Sequence, residues 1–317
     1  MPSRAGDEAL SGSHPVKKEI KDLAASVRQR LYNRAKETNR PFDELLQYFA
    51  MERFLYRLSR SMHKDKVVLK DALMFVVWKA PRSRATRDID LLGRISNAVS
   101  RLVSMVKEVC RVDAEDGITF NPAGVTGERI KEDADYEGVR VRFTAHLGQA
   151  RAPMQIDFGF GDVVFPKPAK IDYPTILDMP RPKLKGYPRE TVVAEKFQSM
   201  GQLGMLNSRM KDFYDIWILS QQFDFNGEAL LKAVVKTFTN RKTGLTTEPT
   251  ALSDEFAGSP EKATQWTAFL GRAKLDHAPK DLAIVVVALR DFLLPIAKSS
   301  AQGTKPPSLW KAPGPWS

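Results

Sequence analysis

The most informative segment of the chain runs Arg84-Ala85-Thr86-Arg87-Asp88-Ile89-Asp90-Leu91-Leu92. Its second half is short, apolar and bounded by polar residues, which predicts a β-strand. Residues two apart on a strand point to the same face, so Asp88 and Asp90 converge while Ile89 and Leu91 pack behind them. Two aspartates about 7 Å apart along a strand offer the carboxylate oxygens that Mg²⁺ binds. Because Asp-x-Asp is a common pattern, a solvated strand end beside a basic loop remains the alternative at this point.

A third carboxylate lies further along the chain. Alternating apolar and polar residues predict two strands, over 139–144 and 154–158, joined as a hairpin. Asp157 lies on the second strand and can act on a metal or on an attacking hydroxyl; the alternative is that it caps the following turn. The predicted metal ligands for phosphoryl or nucleotidyl transfer are therefore Asp88, Asp90 and Asp157.

The elements around these aspartates predict an α+β chain. Helical periodicity indicates helices over 15–37, 41–62 and 97–110, and Val67–Trp78 begins as a strand and continues as a helix. The order strand, helix, Asp-x-Asp strand, hairpin and third aspartate is typical of the polymerase-β-like nucleotidyltransferase fold, a small mixed sheet with flanking helices. Six prolines in residues 159–190 indicate a loop-rich crossover. The helices predicted after it cover 190–200, 208–222, 226–239, 260–273 and 280–298.

These elements divide the chain into four predicted parts. Residues 1–63 form the N-terminal helices, and residues 64–165 form the nucleotidyltransferase core. Residues 166–300 form a helical C-terminal domain. The proline-rich residues 301–317 form an extended tail.

The composition is that of a globular protein with excess positive charge. The 317 residues carry a net charge of +11, and the first 100 contain 20 lysines and arginines against 12 acidic residues. This field favours a polyanionic partner, nucleic acid or nucleotide phosphate, with simple solubility as the alternative. A single cysteine excludes an intramolecular disulfide and any cysteine-based zinc site. With no long apolar run and no signal-peptide pattern, the sequence predicts a cytoplasmic protein without a membrane span.

Several blocks of the sequence together resemble a known family. In chain order they are Phe54–Ser59, Val68–Leu73, Arg84–Leu92, Tyr187–Lys196 and Ser208–Asp215. In these blocks the chain resembles the AbiEii/AbiGii-type nucleotidyltransferase toxin family, which includes the MenT toxins. The blocks lie within residues 54 to 219, and their joint order is far more specific than any one of them.

The resemblance implies roles for the matched polar residues. Asp88 and Asp90 would bind Mg²⁺ and the nucleoside triphosphate, and Lys196 would bind nucleotide phosphates as a point charge. Asp212 would complete the catalytic site, with Asp215 as the alternative. Without the resemblance, these last three residues would be interpreted as helix-surface groups that pair with neighbouring charges. The other predicted nucleotide contacts in the matched blocks are Lys70, Ala72, Thr86 and Arg87.

One position departs from the family pattern. The family usually has a small residue, mostly glycine, after the lysine of its Leu-Lys-Gly block, where the backbone approaches the triphosphate closely. This chain has Asp71 there, followed by the small Ala72. A carboxylate repels triphosphate unless it joins the metal shell or faces away. Asp71 is therefore tolerated, alters nucleotide choice or weakens transfer.

Basic residues flank the carboxylate strand and occupy the predicted hairpin. They can neutralise a triphosphate or hold an RNA 3′ end; the alternative is a solvated basic face. The predicted RNA contacts are Lys79, Arg82, Arg84, Arg140 and Arg142.

The resemblance implies an Mg²⁺-dependent nucleotidyltransferase toxin. It would transfer a nucleotide from an NTP to an RNA hydroxyl, expected at a tRNA 3′ end, and so block translation. A cognate antitoxin protein encoded beside it would control it. One alternative is a catalytically impaired module that binds RNA or a partner protein. Another is transfer to a protein or a small molecule.

Overall fold

The computed structural model describes residues 22–80, 84–133 and 136–317. Strands predominate between residues 118 and 186, and helices predominate after them. The helices are α1 (Leu23–Thr38), α2 (Phe42–Arg60), α3 (Ala72–Val77), α4 (Val99–Cys110), α5 (Arg189–Leu203), α6 (Met210–Gln222), α7 (Gly227–Asn240), α8 (Asp254–Gly258), α9 (Pro260–Ala273) and α10 (Leu282–Gln302). The strands are β1 (Val67–Lys70), β2 (Ile89–Gly93), β3 (Ile118–Phe120), β4 (Thr126–Asp133), β5 (Tyr136–Leu147), β6 (Ala150–Phe160), β7 (Ala169–Asp172), β8 (Lys183–Gly186), β9 (Phe225–Asn226) and β10 (Leu309–Trp310).

The first eight strands form one mixed sheet. Its order is β3-β5-β6-β2-β1-β8-β7, and β4 also pairs with β5. β2 runs parallel to β6 and β1 runs parallel to β8, whereas the other pairs are antiparallel. The register places Lys70 beside Asp90, Asp90 beside Asp157, and Asp157 beside Arg140. Charged residues from four adjacent strands therefore form one row across the sheet.

The N-terminal helices cover the apolar face of this sheet. Phe54 of α2 packs against Phe120 and Phe143, with ring centroids 5.8 and 5.1 Å away. Because side chains alternate along a strand, burying one set of residues on this face leaves the charged set on the other. The buried set from β2, β5 and β6 includes Ile89, Leu91, Val139, Val141, Phe143, Ile156 and Phe158.

Buried ion pairs attach α2 to the loop before β3. The guanidinium groups of Arg53 and Arg57 lie 3.0 and 2.7 Å from the carboxylate of Asp116. Arg53 also pairs with Glu52 at 3.1 Å, and Glu52 accepts a hydrogen bond from the Ile176 amide at 2.7 Å. All four charged side chains are buried. Removing one member would leave an uncompensated buried charge, so this network fixes α2 against the sheet.

Helices α5, α6, α7 and α10 pack together after the sheet. Phe197 of α5 lies 5.3 Å from Phe238 of α7, measured between ring centroids. The predicted extended tail has little regular structure and folds onto these helices through the β9–β10 pair. Trp310 packs on Phe292 and donates a hydrogen bond to the Ser220 carbonyl at 2.7 Å. The four-part domain division remains a prediction.

Most predicted elements are present, with two differences. Residues 159–190, expected to be loops, contain β7 and β8, and the region before residue 137 contains β3 and β4. β3 and β8 gain backbone hydrogen bonds from β5 and β1, which are not their neighbours in sequence, whereas β4 and β7 pair with the strands that follow them. Local periodicity does not reveal which strands pair. Of the first predicted helix, residues 15–21 lie outside the described part of the chain. Within the described residues, none of the helices combines the length and apolar character needed to cross a bilayer.

Candidate active site

Three aspartates meet on the charged face of the sheet. Asp90 lies on β2, Asp157 lies opposite it on β6, and Asp88 immediately precedes β2. One carboxylate oxygen from each can be chosen so that all three atoms lie within 4.8 Å of one another. The structure thus brings together the three residues that the sequence predicted as metal ligands. Their role as ligands remains a prediction.

The chemistry of this cluster fits a hard divalent cation. Burial raises the pKa of Asp90 well above its ordinary value, and the nearby Asp71 and Asp88 carboxylates raise it further. A cation bound among the three carboxylates would offset this repulsion, and oxygen ligands are those that Mg²⁺ prefers. The donor set therefore suits the Mg²⁺ that the family resemblance implies.

Each end of the charged row has a basic residue. Arg140 on β5 makes a bidentate contact with Asp157, at 2.8 and 2.7 Å. Hydrogen bonding to Asp157 raises the pKa of the Arg140 guanidinium above its ordinary value. At the other end, the Lys70 ammonium lies 3.3 Å from Asp162 and 3.4 Å from Glu195. Arg140 therefore orients a predicted metal ligand, and Lys70 is a buried cation beside the cluster.

The Thr86 side chain contacts the cluster from the preceding loop. Its hydroxyl donates a short hydrogen bond to Asp88. Its backbone amide donates to the Tyr48 hydroxyl of α2 at 3.0 Å. Thr86 is buried, so this pair of contacts fixes the position from which Asp88 enters the site.

The predicted Lys196 and Asp212 form a buried ion pair across from the sheet. The Lys196 ammonium on α5 lies 2.8 Å from Asp212 and 3.1 Å from Asp215, both on α6. Arg84 binds Asp215 through two nitrogens, at 3.1 and 3.2 Å, and Arg209 lies 2.9 Å from Asp212. Asp212 and the alternative Asp215 therefore both form ion pairs with basic side chains. Neither is among the three clustered aspartates.

Asp71 points into the site. Its carboxylate lies 3.4 Å from Lys196 and 3.9 Å from Lys70. Burial alone would raise the pKa of Asp71, but the Lys196 and Lys70 ammonium groups lower it below its ordinary value. Its φ of 54° and ψ of −136° lie where glycine is favoured. The backbone at this position thus has the conformation that the family's usual glycine accommodates without strain.

A second ion-pair cluster lies beside Lys70 and was missed in the sequence. Arg241, directly after α7, lies 2.8 Å from Asp162 and 3.5 Å from Glu195. Burial raises the pKa of Glu195 to about 7, although Lys70 opposes this shift. Gly161 and Asp162 directly follow β6, and this position at the end of a strand is the one local signal that could have identified Asp162. Glu195 precedes Lys196, but its partners come from distant parts of the chain.

The remaining predicted contacts lie in several different places. Ala72 is buried at the start of α3, and Arg87 is exposed outside the cavity that holds the aspartates. Lys79 is exposed and lines a separate cavity near Tyr48. Arg142 pairs with Glu128 on the surface. Arg82 lies outside the described residues.

Arg84 and Arg140 occupy positions that differ from the open basic surface expected for RNA contact. The Arg84 side chain is 14% exposed because Asp215 holds it, and Arg140 is bound to Asp157. Both line the cavity of the clustered aspartates, as do Lys70 and Lys196. Their immediate contacts organise acidic residues of the site. Their contact with RNA remains a prediction.

The cavity over the aspartates has a volume of about 490 Å³. The charged face of the sheet forms one side, and residues of α5 and α6 form the other together with Arg241, which directly follows α7. Cations and carboxylates are interleaved around it, so it can bind a polyphosphate together with a metal ion. Of the described residues that line it, none is a cysteine or a histidine.

Comparisons with known proteins give a family for this chain. A model of the family described as "Nucleotidyl transferase AbiEii toxin, Type IV TA system" matches residues 53–288. Comparison with curated proteins gives no match. Among solved structures, JHP933 from Helicobacter pylori has 10% identity and a TM-score of 0.45, covering 90% of this chain and 97% of that one. An H. pylori protein described as a candidate nucleotidyltransferase has 11% identity and a TM-score of 0.41, covering 90% and 100%.

The family match extends over the whole eight-stranded sheet and most of the C-terminal helices. It confirms both the resemblance found in the sequence blocks and the nucleotidyltransferase fold with its helical C-terminal part. The two solved structures are too distant to bear on the site or the substrate. The chain belongs to the AbiEii family of nucleotidyltransferase toxins.

Proposed function

We propose that this protein is an Mg²⁺-dependent nucleotidyltransferase toxin that adds a nucleotide from an NTP to the 3′ end of an RNA. A tRNA is the expected acceptor, and blocked translation is the expected outcome. Membership of a family described as a type IV toxin–antitoxin system supports the toxin activity and a cognate antitoxin partner. The cytoplasm is the expected compartment, because translation takes place there.

The observation that carries this proposal is the convergence of Asp88, Asp90 and Asp157 within 4.8 Å, in a cavity that also contains Lys70 and Lys196. The three carboxylates would hold the metal. A bound divalent cation would supply positive charge that stabilises the transferring phosphate and the leaving pyrophosphate. The two lysines would bind phosphate oxygens of the NTP, and Arg140 would keep Asp157 oriented.

The proposed reaction is an in-line displacement at the α-phosphorus. The oxygen of the acceptor hydroxyl forms the new bond to phosphorus, and the bond from phosphorus to the α,β-bridging oxygen breaks. Pyrophosphate leaves with the electron pair of that bond. A carboxylate oxygen of Asp157 can accept the hydroxyl proton. Most of the catalytic effect would come from positioning and from charge, because the protein forms no covalent bond.

The test is incubation of the purified protein with α-³²P-labelled NTPs, Mg²⁺ and total RNA, followed by separate nuclease and protease digestion. Transfer to RNA would be supported by label that is removed by nuclease but not by protease. Label removed by protease alone, or found only on a small molecule, would support the alternative acceptors and contradict RNA transfer. The four NTPs are supplied one at a time, so the same experiment identifies the base.

A catalytically impaired binding module is the second candidate, and Asp71 is the observation that favours it. Its carboxylate lies 3.4 Å from Lys196, a residue proposed to bind phosphate. This carboxylate competes with triphosphate for the lysine. Absence of label on any acceptor, together with measurable RNA binding, would support this second candidate.

A further inference from the structure

A second and larger cavity lies next to the proposed active site. Its volume is about 1510 Å³, above the range of about 300–1,000 Å³ that small-molecule pockets usually have. It is lined by the start of α2, by residues 84–87, by residues 151–153 of β6, and by parts of α6 and α9. We refer to it as the basic groove. Its size suits a segment of a polymer better than a single small ligand.

The basic groove contains an excess of cations that form no direct ion pair in the described part of the chain. Five exposed basic side chains line it and form no ion pair with any described residue: Arg87, Arg151, Lys211, Arg272 and Lys274. Among the described residues that line it, only Asp43 and Glu44 are carboxylates, and Glu44 pairs with Arg40 at 2.7 Å. The cations of the active site are, by contrast, largely held by carboxylates. Unpaired cations along one groove are the arrangement that binds a phosphate backbone.

The basic groove adjoins the active-site cavity. Arg84, Arg209 and Lys211 line both cavities. A chain lying in the groove can therefore place its end beside the clustered aspartates. The lining of the groove also includes the exposed Ala268 and the partly exposed Phe269, on which unpaired bases can pack.

We propose that the basic groove binds the single-stranded 3′ segment of the acceptor RNA and directs its terminal hydroxyl to the aspartates. This inference rests on the proposed function and adds the acceptor site to it. The cations come from two parts of the protein. Arg87 and Arg151 belong to the sheet region, whereas Lys211, Arg272 and Lys274 belong to the helices that follow it. Acceptor binding thus requires residues that lie far from the Asp-x-Asp segment.

The experiment measures the affinity of a 5′-fluorescein-labelled, 12-nucleotide single-stranded RNA by anisotropy, without NTP, at several salt concentrations. The first variant combines Arg272→Gln with Lys274→Gly; glycine suits the φ of 53° at position 274. The second variant is Arg151→Gln. Control variant Lys298→Gln/Lys305→Gln removes two exposed cations that line none of the three cavities described.

The first variant should bind the RNA about tenfold more weakly at low salt. Each lost phosphate contact should lower the slope of log affinity against log salt by about 0.7, so the slope falls by about 1.4 in the first variant and about 0.7 in the second. The control should bind as the wild type does. NTP binding by the first variant should remain at the wild-type level, because neither residue lines the aspartate cavity.

Wild-type RNA affinity in the first variant would overturn the proposal, as would equal weakening in the control. Lost NTP binding with unchanged RNA binding would assign the groove to the nucleotide and would also overturn it. Failure of the groove assignment can be distinguished from failure of the proposed function. If the wild type labels RNA but both groove variants bind and label it normally, the function stands and the groove assignment fails. If the wild type labels no RNA, RNA transfer fails whatever the binding measurements give.

Discussion

The carboxylate of Asp71 lies 3.4 Å from the ammonium group of Lys196. This contact joins the one residue that departs from the family's glycine pattern to the lysine that the family resemblance assigns to nucleotide phosphates. Asp71 is 28% exposed, so its carboxylate can be reached from the cavity. Lys196 would keep Asp212 and Asp215 as partners if Asp71 were absent. We therefore expect Asp71 to weaken phosphate binding without being needed to neutralise the lysine.

Replacing Asp71 by glycine should tighten NTP binding. The expected gain is about 1 kcal/mol, or about fivefold in affinity, because an ion pair that competes with the phosphate is removed. The gain in NTP affinity should be largest at low salt, where the repulsion between the Asp71 carboxylate and the triphosphate is least screened. NTP affinity in the presence of Mg²⁺ is measured at two ionic strengths for wild type and variant.

Asp71→Asn is the matched control, because it removes the charge but retains a side chain at a φ of 54°. Both variants should bind NTP more tightly, and both lose the Asp71 ion pairs. The glycine variant should melt at a higher temperature than the asparagine variant, because glycine relieves the backbone strain at this φ. Unchanged or weaker NTP affinity in both variants would show that Asp71 does not impair the site. That outcome would remove the main argument for an inactive binding module.

Replacing Asp90 by asparagine should separate catalysis from stability. The metal-free variant should be at least as stable as the wild type, because Asp90 is buried beside other carboxylates that raise its pKa. Mg²⁺ should raise the melting temperature of the wild type but not that of the variant, and transfer should fall at least about a hundredfold. Asp172→Asn, an exposed strand residue, serves as the control. Transfer within tenfold of wild type in a folded Asp90→Asn protein would exclude Asp90 as a metal ligand.

Replacing Lys196 by methionine should destabilise the fold as well as the site. The lysine is buried among Asp71, Asp212 and Asp215, and its loss leaves their charges uncompensated. The free energy of unfolding should fall by about 3–5 kcal/mol, measured by urea denaturation. The exposed Lys298→Met should change it by less than about 0.5 kcal/mol. A loss below about 1 kcal/mol for Lys196→Met would contradict the ion-pair network described above.

Glu52 should make stability depend on pH at a place remote from the aspartates. Burial raises its pKa from 4.5 to about 7, against the opposing effects of the Ile176 amide and Arg53. A raised folded-state pKa gives stability that is full below the unfolded value and is lost as pH rises through 7. Relative to Glu52→Gln, the wild type should therefore lose about 3 kcal/mol of unfolding free energy between pH 4 and pH 8. A difference that stays constant over this range, as expected for the exposed control Glu261→Gln, would contradict the assignment.

The sequence was sufficient to predict the elements that hold the three aspartates. Alternation along the strands identifies which residues of β2, β5 and β6 point away from the core, and Asp88, Asp90 and Asp157 all belong to that set. The resemblance added Lys70 and Lys196, which have no distinguishing local pattern. Both lysines line the same cavity as the aspartates.

What the sequence did not reveal depends on contacts between distant residues. Arg241 reaches Asp162 across 79 positions, and Arg84 reaches Asp215 across 131. No periodicity links such pairs, so the sequence indicates Arg84 only as a candidate RNA contact. The basic groove was missed for the same reason, because Arg151 and Arg272 come together only in the folded chain.

Extension of a defined RNA tests the central claim most directly. A 5′-labelled RNA with a free 3′ hydroxyl, and the same RNA ending in a 3′ phosphate, are each incubated with Mg²⁺ and a single NTP. Wild-type protein should lengthen only the RNA with the free hydroxyl, and Asp90→Asn should lengthen neither. Equal labelling of the blocked RNA by an α-³²P NTP, or extension by Asp90→Asn within tenfold of wild type, would contradict nucleotidyl transfer to an RNA 3′ end at the three aspartates.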